Sequence, residues 1–152
     1  MRLNLILAAT LFVGVAVPAH STNVSLSATL TSSCTLTLNN SGTMTASSGG
    51  TMLSSENSGG SAASLGVVAI GTLPSVNFAA PSLTASPSGW TGNPTVEIKY
   101  SSNNGATAAF SSSSSSFNET SLLDSFLIHG RITNVTGFAA GTYTVTTVAT
   151  CS

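Results

Sequence analysis

Residues 24–38 read VSLSATLTSSCTLTL, and Val24, Leu26, Ala28, Leu30, Cys34, Leu36 and Leu38 all fall on even positions. Successive side chains of a strand point to opposite faces, so this spacing predicts an extended segment whose apolar face includes Cys34. The same period recurs downstream. TVEIKYS, from 95, sets Val96, Ile98 and Tyr100 against Glu97 and Lys99, with turn signals at Asn93-Pro94 before it and at SNNG, 102–105, after it. FLIHGRI, 126–132, puts Phe126, Ile128 and Ile132 on one face and Leu127, His129 and Arg131 on the other, with Gly130 read as a bulge. LGVVAIGTL, 65–73, is almost wholly apolar and predicts a central strand covered on both faces. GTYTVTTVATCS closes the chain as a further strand, with Tyr143, Val145, Thr147, Ala149 and Cys151 on one face. No stretch carries helical three-and-four spacing over three turns. The pattern therefore predicts an all-β protein. Residues 41–64, rich in Gly and Ser, and the serine run 111–116 interrupt the alternation and read as loops, the latter equally as a hairpin tip or a polar edge strand.

The first nineteen residues change the picture of where this sheet resides. They hold one positive charge at Arg2, an apolar run from Leu5 to Val17 and a Val17-Pro18-Ala19 ending, the make-up of a cleaved secretory signal. The run is shorter than the roughly 20 apolar residues that cross a bilayer, and no second stretch is apolar enough to do so. The expected organisation is a signal peptide at 1–19 followed by one domain over 20–152, with no stable membrane span after cleavage, in an exported protein. In such a protein two thiols are expected to oxidise. Cys34 and Cys151 lie on the apolar beats of the first and last strands, so a bridge between them is expected; the other reading is a pair of buried free thiols.

Charge excludes one class of partner. Without Arg2, four carboxylates (Glu56, Glu97, Glu119, Asp124) face two cations, Lys99 and Arg131, an acidic excess of two. Two scattered cations cannot displace the counterions of phosphate, so nucleic acid is set aside as a partner. Solubility must come from Ser, Thr, Asn and Gly.

Candidate chemistry is sparse. His129, with Asp124 five residues upstream and serines throughout, allows a Ser/His/Asp set to be written, but no G-x-S-x-G frames a serine. On strand spacing, His129 and Arg131 read as solvent-facing residues, and no enzyme is expected. Two histidines, four carboxylates and two pairable cysteines show no metal-ligand spacing, and the sequence calls for no cofactor. Trp90, among the turn residues SPSGWTGNP, either stacks on a sugar ring or folds back over the end of a sandwich. Four sequons, at Asn23, Asn39, Asn118 and Asn134, matter only in a eukaryotic secretory route. The alternating segment Val24, Leu26, Ala28 and Leu30 has the form of a strand that could pair with another chain, or of an ordinary first strand in its own sheet.

With its signal peptide, its early alternating strand with Cys34, its Thr/Ser/Gly-rich body and its closing ITNVTGFAAGTYTVTTVAT, the chain resembles bacterial secreted pilin-like subunits of the chaperone–usher and spore-coat-U type. The resemblance implies an immunoglobulin-like antiparallel β-sandwich of about seven to nine strands. It also implies a structural, non-catalytic role in a fimbria- or coat-like surface structure. The partners implied are copies of the chain or other surface subunits, and a periplasmic chaperone that lends a missing strand. Two features depart from those families: the second cysteine stands at Cys151 rather than near the first, and it replaces the penultimate tyrosine. A bridge there implies a closed sandwich. The alternative role is a secreted carbohydrate-binding or adhesion module using Trp90.

Overall fold

The computed structural model describes residues 25–152, and the expected signal peptide and Val24 lie outside the described residues. All regular structure in it is β, and every strand pairing is antiparallel. Twelve strands occur among the described residues: β1 (Ser33–Asn40), β2 (Thr45–Ala46), β3 (Met52–Ser54), β4 (Ala63–Ile70), β5 (Ser75–Phe78), β6 (Ser82–Ala85), β7 (Thr95–Ser102), β8 (Thr107–Ser111), β9 (Ser115–Asn118), β10 (Leu123–Thr133), β11 (Thr144–Thr146) and β12 (Ala149–Cys151). This exceeds the seven to nine expected because β2 and β3 arise inside the Gly/Ser-rich stretch and the terminal strand divides in two.

One layer is a seven-stranded sheet organised around β10. Along one edge β10 pairs with β7, which pairs in turn with β8; along the other it pairs first with β4 and then with β3. The second layer is β12-β5-β9, with the two-stranded β11-β6 beside it. Between the layers, Leu65 and Val67 of β4, Ile98 and Tyr100 of β7 and Phe126 of β10 meet Val76 and Phe78 of β5, with Phe117 of β9 packed against them. The Phe126 ring lies edge-on to Phe78, Tyr100 and Phe117, with centroids 5.4, 5.7 and 6.5 Å away. Alternation set these faces as expected: on the opposite beat Leu127 and Val68 are about half exposed, while Glu97, Lys99, His129 and Arg131 form a partly buried polar set on the outer face.

Three local readings are corrected. The apolar segment 65–73 is covered on one face only: Leu65, Val67 and Ala69 are buried while Val68, Ile70 and Leu73 are about half exposed, because both elements of the second layer lie on one side. Gly130 forms no bulge, since the β10–β7 register runs unbroken from Phe126 to Thr133. It sits instead where β10 changes partner from β4 to β3, and there its N–H donates to Ser55 Oγ at 3.1 Å while its carbonyl accepts from the Ser55 N–H at 3.0 Å. The serine run is no hairpin tip, and the edge-strand reading holds for part of it: Ser115 and Ser116 open β9, an edge of the smaller sheet, while 112–114 carry the chain there from β8 in the other layer.

The Cys34–Cys151 disulfide is formed, with the Cα atoms 6.2 Å apart. It joins β1, an edge of the larger sheet, to β12, an edge of the smaller one. Shared parity had placed both sulfurs toward the same core, and the bridge is the consequence. No helix among the described residues is long and apolar enough to cross a membrane.

Candidate functional site

Beyond the disulfide the two layers part. Leu36 and Leu38 of β1, Ile128 of β10, Val145 of β11 and Ala149 of β12 line an open cleft of about 730 Å³ whose floor reaches Leu65, Phe78 and Ile98. Among the described residues β1 hydrogen-bonds only to β4, and its other edge meets no further strand of them. Leu38, near the far end of β1, is 60 % exposed. The terminal GTYTVTTVATCS segment explains the gap: its odd positions do turn inward, but β11 pairs with β6 and β12 with β5, with Thr147 and Val148 between them, so neither extends the larger sheet. The bridge at Cys151 thus closes one end of the sandwich and leaves the rest open.

Residues 25–32 pair with no strand among the described residues, and Leu26 and Leu30 are 95 % and 71 % exposed. The reading of this segment as the first strand of its own sheet is therefore corrected for Leu26, Ala28 and Leu30: the ladder to β4 begins only at Ser33. Gly71 holds a left-handed backbone at φ +88° beside Ser32, and a Cβ there would meet the Ser32 Cα at 3.1 Å. This close approach marks where that segment leaves the fold.

The conceivable catalytic set is not assembled. His129 Nδ1 lies 3.1 Å from Ser55 Oγ, but Ser55 is buried and its hydroxyl also accepts the Gly130 N–H. Asp124 stands on the opposite face of β10, five residues away, about 16 Å by strand rise. Arg131 donates from Nε and Nη2 to Glu97 Oε2 at 2.9 and 2.7 Å and lies 4.1 Å from the Phe110 ring centroid; Lys99 pairs with Glu56 nearby and lowers that carboxyl's pKa. Among the described residues no group of three metal-ligating side chains occurs. Asn134 is itself buried, although Val135 and Thr136 of its sequon are exposed, and its amide donates to Thr136 Oγ1 and to the Gly137 carbonyl.

Trp90 belongs to an aromatic cluster that the sequence did not reveal, because its partners lie about fifty residues away. The indole stacks on Phe138 at 5.8 Å and meets Tyr143 edge-on at 5.0 Å, while the Tyr143 hydroxyl donates to the Ala139 carbonyl. A Cβ on Gly92 would fall on the indole itself. Gly92→Ala is expected to displace the ring, red-shift the emission of this single tryptophan and cost about 1–3 kcal/mol. Unchanged emission would show that the cluster does not hold Trp90 in place.

Compared with known proteins, the chain matches no family model, no curated sequence and no solved structure.

Proposed function

We propose that this protein is an exported, non-catalytic structural subunit or accessory protein of a bacterial surface structure, assembling by β-strand pairing. The observation that supports this reading most is the pairing of two unsatisfied features: an alternating apolar segment outside the sandwich, and an apolar cleft beside an edge of β1 that meets no strand among the described residues. A strand laid along that edge gains backbone hydrogen bonds and sends every second side chain into the cleft. The segment Val24, Leu26, Ala28, Leu30 has that spacing, and chain copies, other surface subunits or a periplasmic chaperone would fit as partners. The pilin-like resemblance and an immunoglobulin-like description of the sandwich accord with this role.

Analytical ultracentrifugation and native mass spectrometry of the purified protein test it. The protein is expected to form concentration-dependent multimers, and a variant beginning at residue 32 or carrying Leu26→Asp and Leu30→Asp is expected to remain monomeric. A wild type that stays monomeric at millimolar concentration defeats the proposal. The alternative, a carbohydrate-binding or adhesion module using Trp90, has less support because one face of the indole is stacked on Phe138.

A further inference from the structure

At the end of the sandwich near the start of β10, two carboxyl groups are packed together with no countercharge. Glu119 follows β9 and is 4 % exposed; Asp124 is the second residue of β10 and 9 % exposed. Beyond the effect of burial, Asp124 is close enough for its charge to raise the Glu119 pKa, and Asn104 beside them opposes that. Asp124 Oδ1 accepts the backbone N–H groups of Ser125 at 2.7 Å and Asn104 at 3.3 Å, but Asp124 Oδ2 and both Glu119 oxygens have no hydrogen-bond partner among the described residues. The segments packed around them are the β4–β5 turn, 71–74, whose Pro74 carbonyl accepts the Glu119 N–H at 2.9 Å, the β7–β8 turn, 102–106, and the β9–β10 loop, 120–123. None of these carries a charged or titratable side chain, nor does β9; on β10 itself His129 and Arg131 occupy the opposite face. The two cations of the described residues are committed elsewhere, Lys99 to Glu56 and Arg131 to Glu97.

Two adjacent buried carboxylates without a cation are strongly unfavourable. A single proton removes the difficulty: a neutral Glu119 donates its O–H to Asp124 Oδ2, and its remaining oxygen becomes an uncharged carbonyl acceptor that costs far less to bury. We propose that Glu119 and Asp124 share one proton and form a pH-sensitive latch, which holds the β4–β5, β7–β8 and β9–β10 connections together in mild acid and loosens them as the pH rises.

Burial, and secondarily the Asp124 charge, push the Glu119 pKa from its ordinary 4.5 up to about 7. Because the folded value lies above the unfolded one, the folded protein holds the proton more tightly. The stabilisation is complete below about pH 4.5 and is lost as the pH rises through about 7.

The test is the thermal midpoint of the purified protein across about pH 5 to 8 in EDTA. A fall of about 5 °C toward the alkaline side is expected for the wild type. Glu119→Gln, which keeps the donor and cannot ionise, is expected to abolish that fall, and any contribution of His129 survives in the variant and is subtracted. Asp124→Asn is expected to move the fall to lower pH by removing the neighbouring charge. A flat wild-type profile overturns the proposal, as does an equal fall in both variants. So does recovery of the acid midpoint at about pH 8 on adding millimolar calcium, because the pair would then be a cation site rather than a shared proton.

Discussion

Removing the Cys34–Cys151 bridge, as Cys34→Ser with Cys151→Ser or by reduction, is expected to lower the thermal midpoint by about 10 °C or more. The bridged residues are 117 apart in sequence, so the bond encloses nearly the whole described chain. In the chain-entropy account a loop on the order of 100 residues contributes about 4.7 kcal/mol, and each kcal/mol is worth about 2–4 °C in a protein of this size. The position adds to the effect. Among the described residues β1 and β12 are both edge strands with a single hydrogen-bonded neighbour, and the bridge covalently ties one layer to the other beside the open cleft. Differential scanning calorimetry with and without reductant measures the loss. A shift below about 3 °C would mean that packing alone keeps the layers together.

Phe126→Ala is expected to cost about 4 kcal/mol, whereas Leu127→Ala, one residue along the same strand, is expected to stay within about 0.5 kcal/mol of the wild type. Phe126 has no exposed surface and touches the rings of Phe78 and Phe117 from the second layer as well as Tyr100 from its own sheet. Truncation removes the one side chain around which the aromatic core of both layers is arranged, and the surrounding rings, being rigid, cannot collapse to fill the space. Leu127 faces outward with half its surface already in water. Urea denaturation of the two variants makes the comparison, and equal losses would show that the inward and outward beats of β10 are not energetically distinct.

The outer face of the larger sheet shows why the apolar segment 65–73 misled. Its composition fits a strand covered on both sides, but coverage depends on how many layers the rest of the chain supplies, and the described residues supply two. Val68 of β4 lies opposite Leu123 of β10, and both stay exposed beside each other. Trp90 and Glu119 teach the same lesson. Trp90 is held by Phe138 and Tyr143, and Glu119, which the sequence offers only as one of four carboxylates and within the Asn118 sequon, comes close to Asp124 across the β9–β10 loop.

By itself the sequence determined the all-β class, the inward and outward beats of β7 and β10, and the common face of Cys34 and Cys151 that makes their bridge possible. These follow from the pleat, which alternates side chains whatever the partner, so each is encoded within one strand. Tertiary structure decided which edges meet: that β10 serves β4 and β3 in turn, that the final segment divides between β6 and β5, and that β1 meets no second strand among the described residues next to the cleft. It also decided that the alternation begun at Leu26 is not used for pairing until Ser33. Backbone donors and acceptors are alike at every residue, so the choice of partner rests on long-range packing, which no local pattern records.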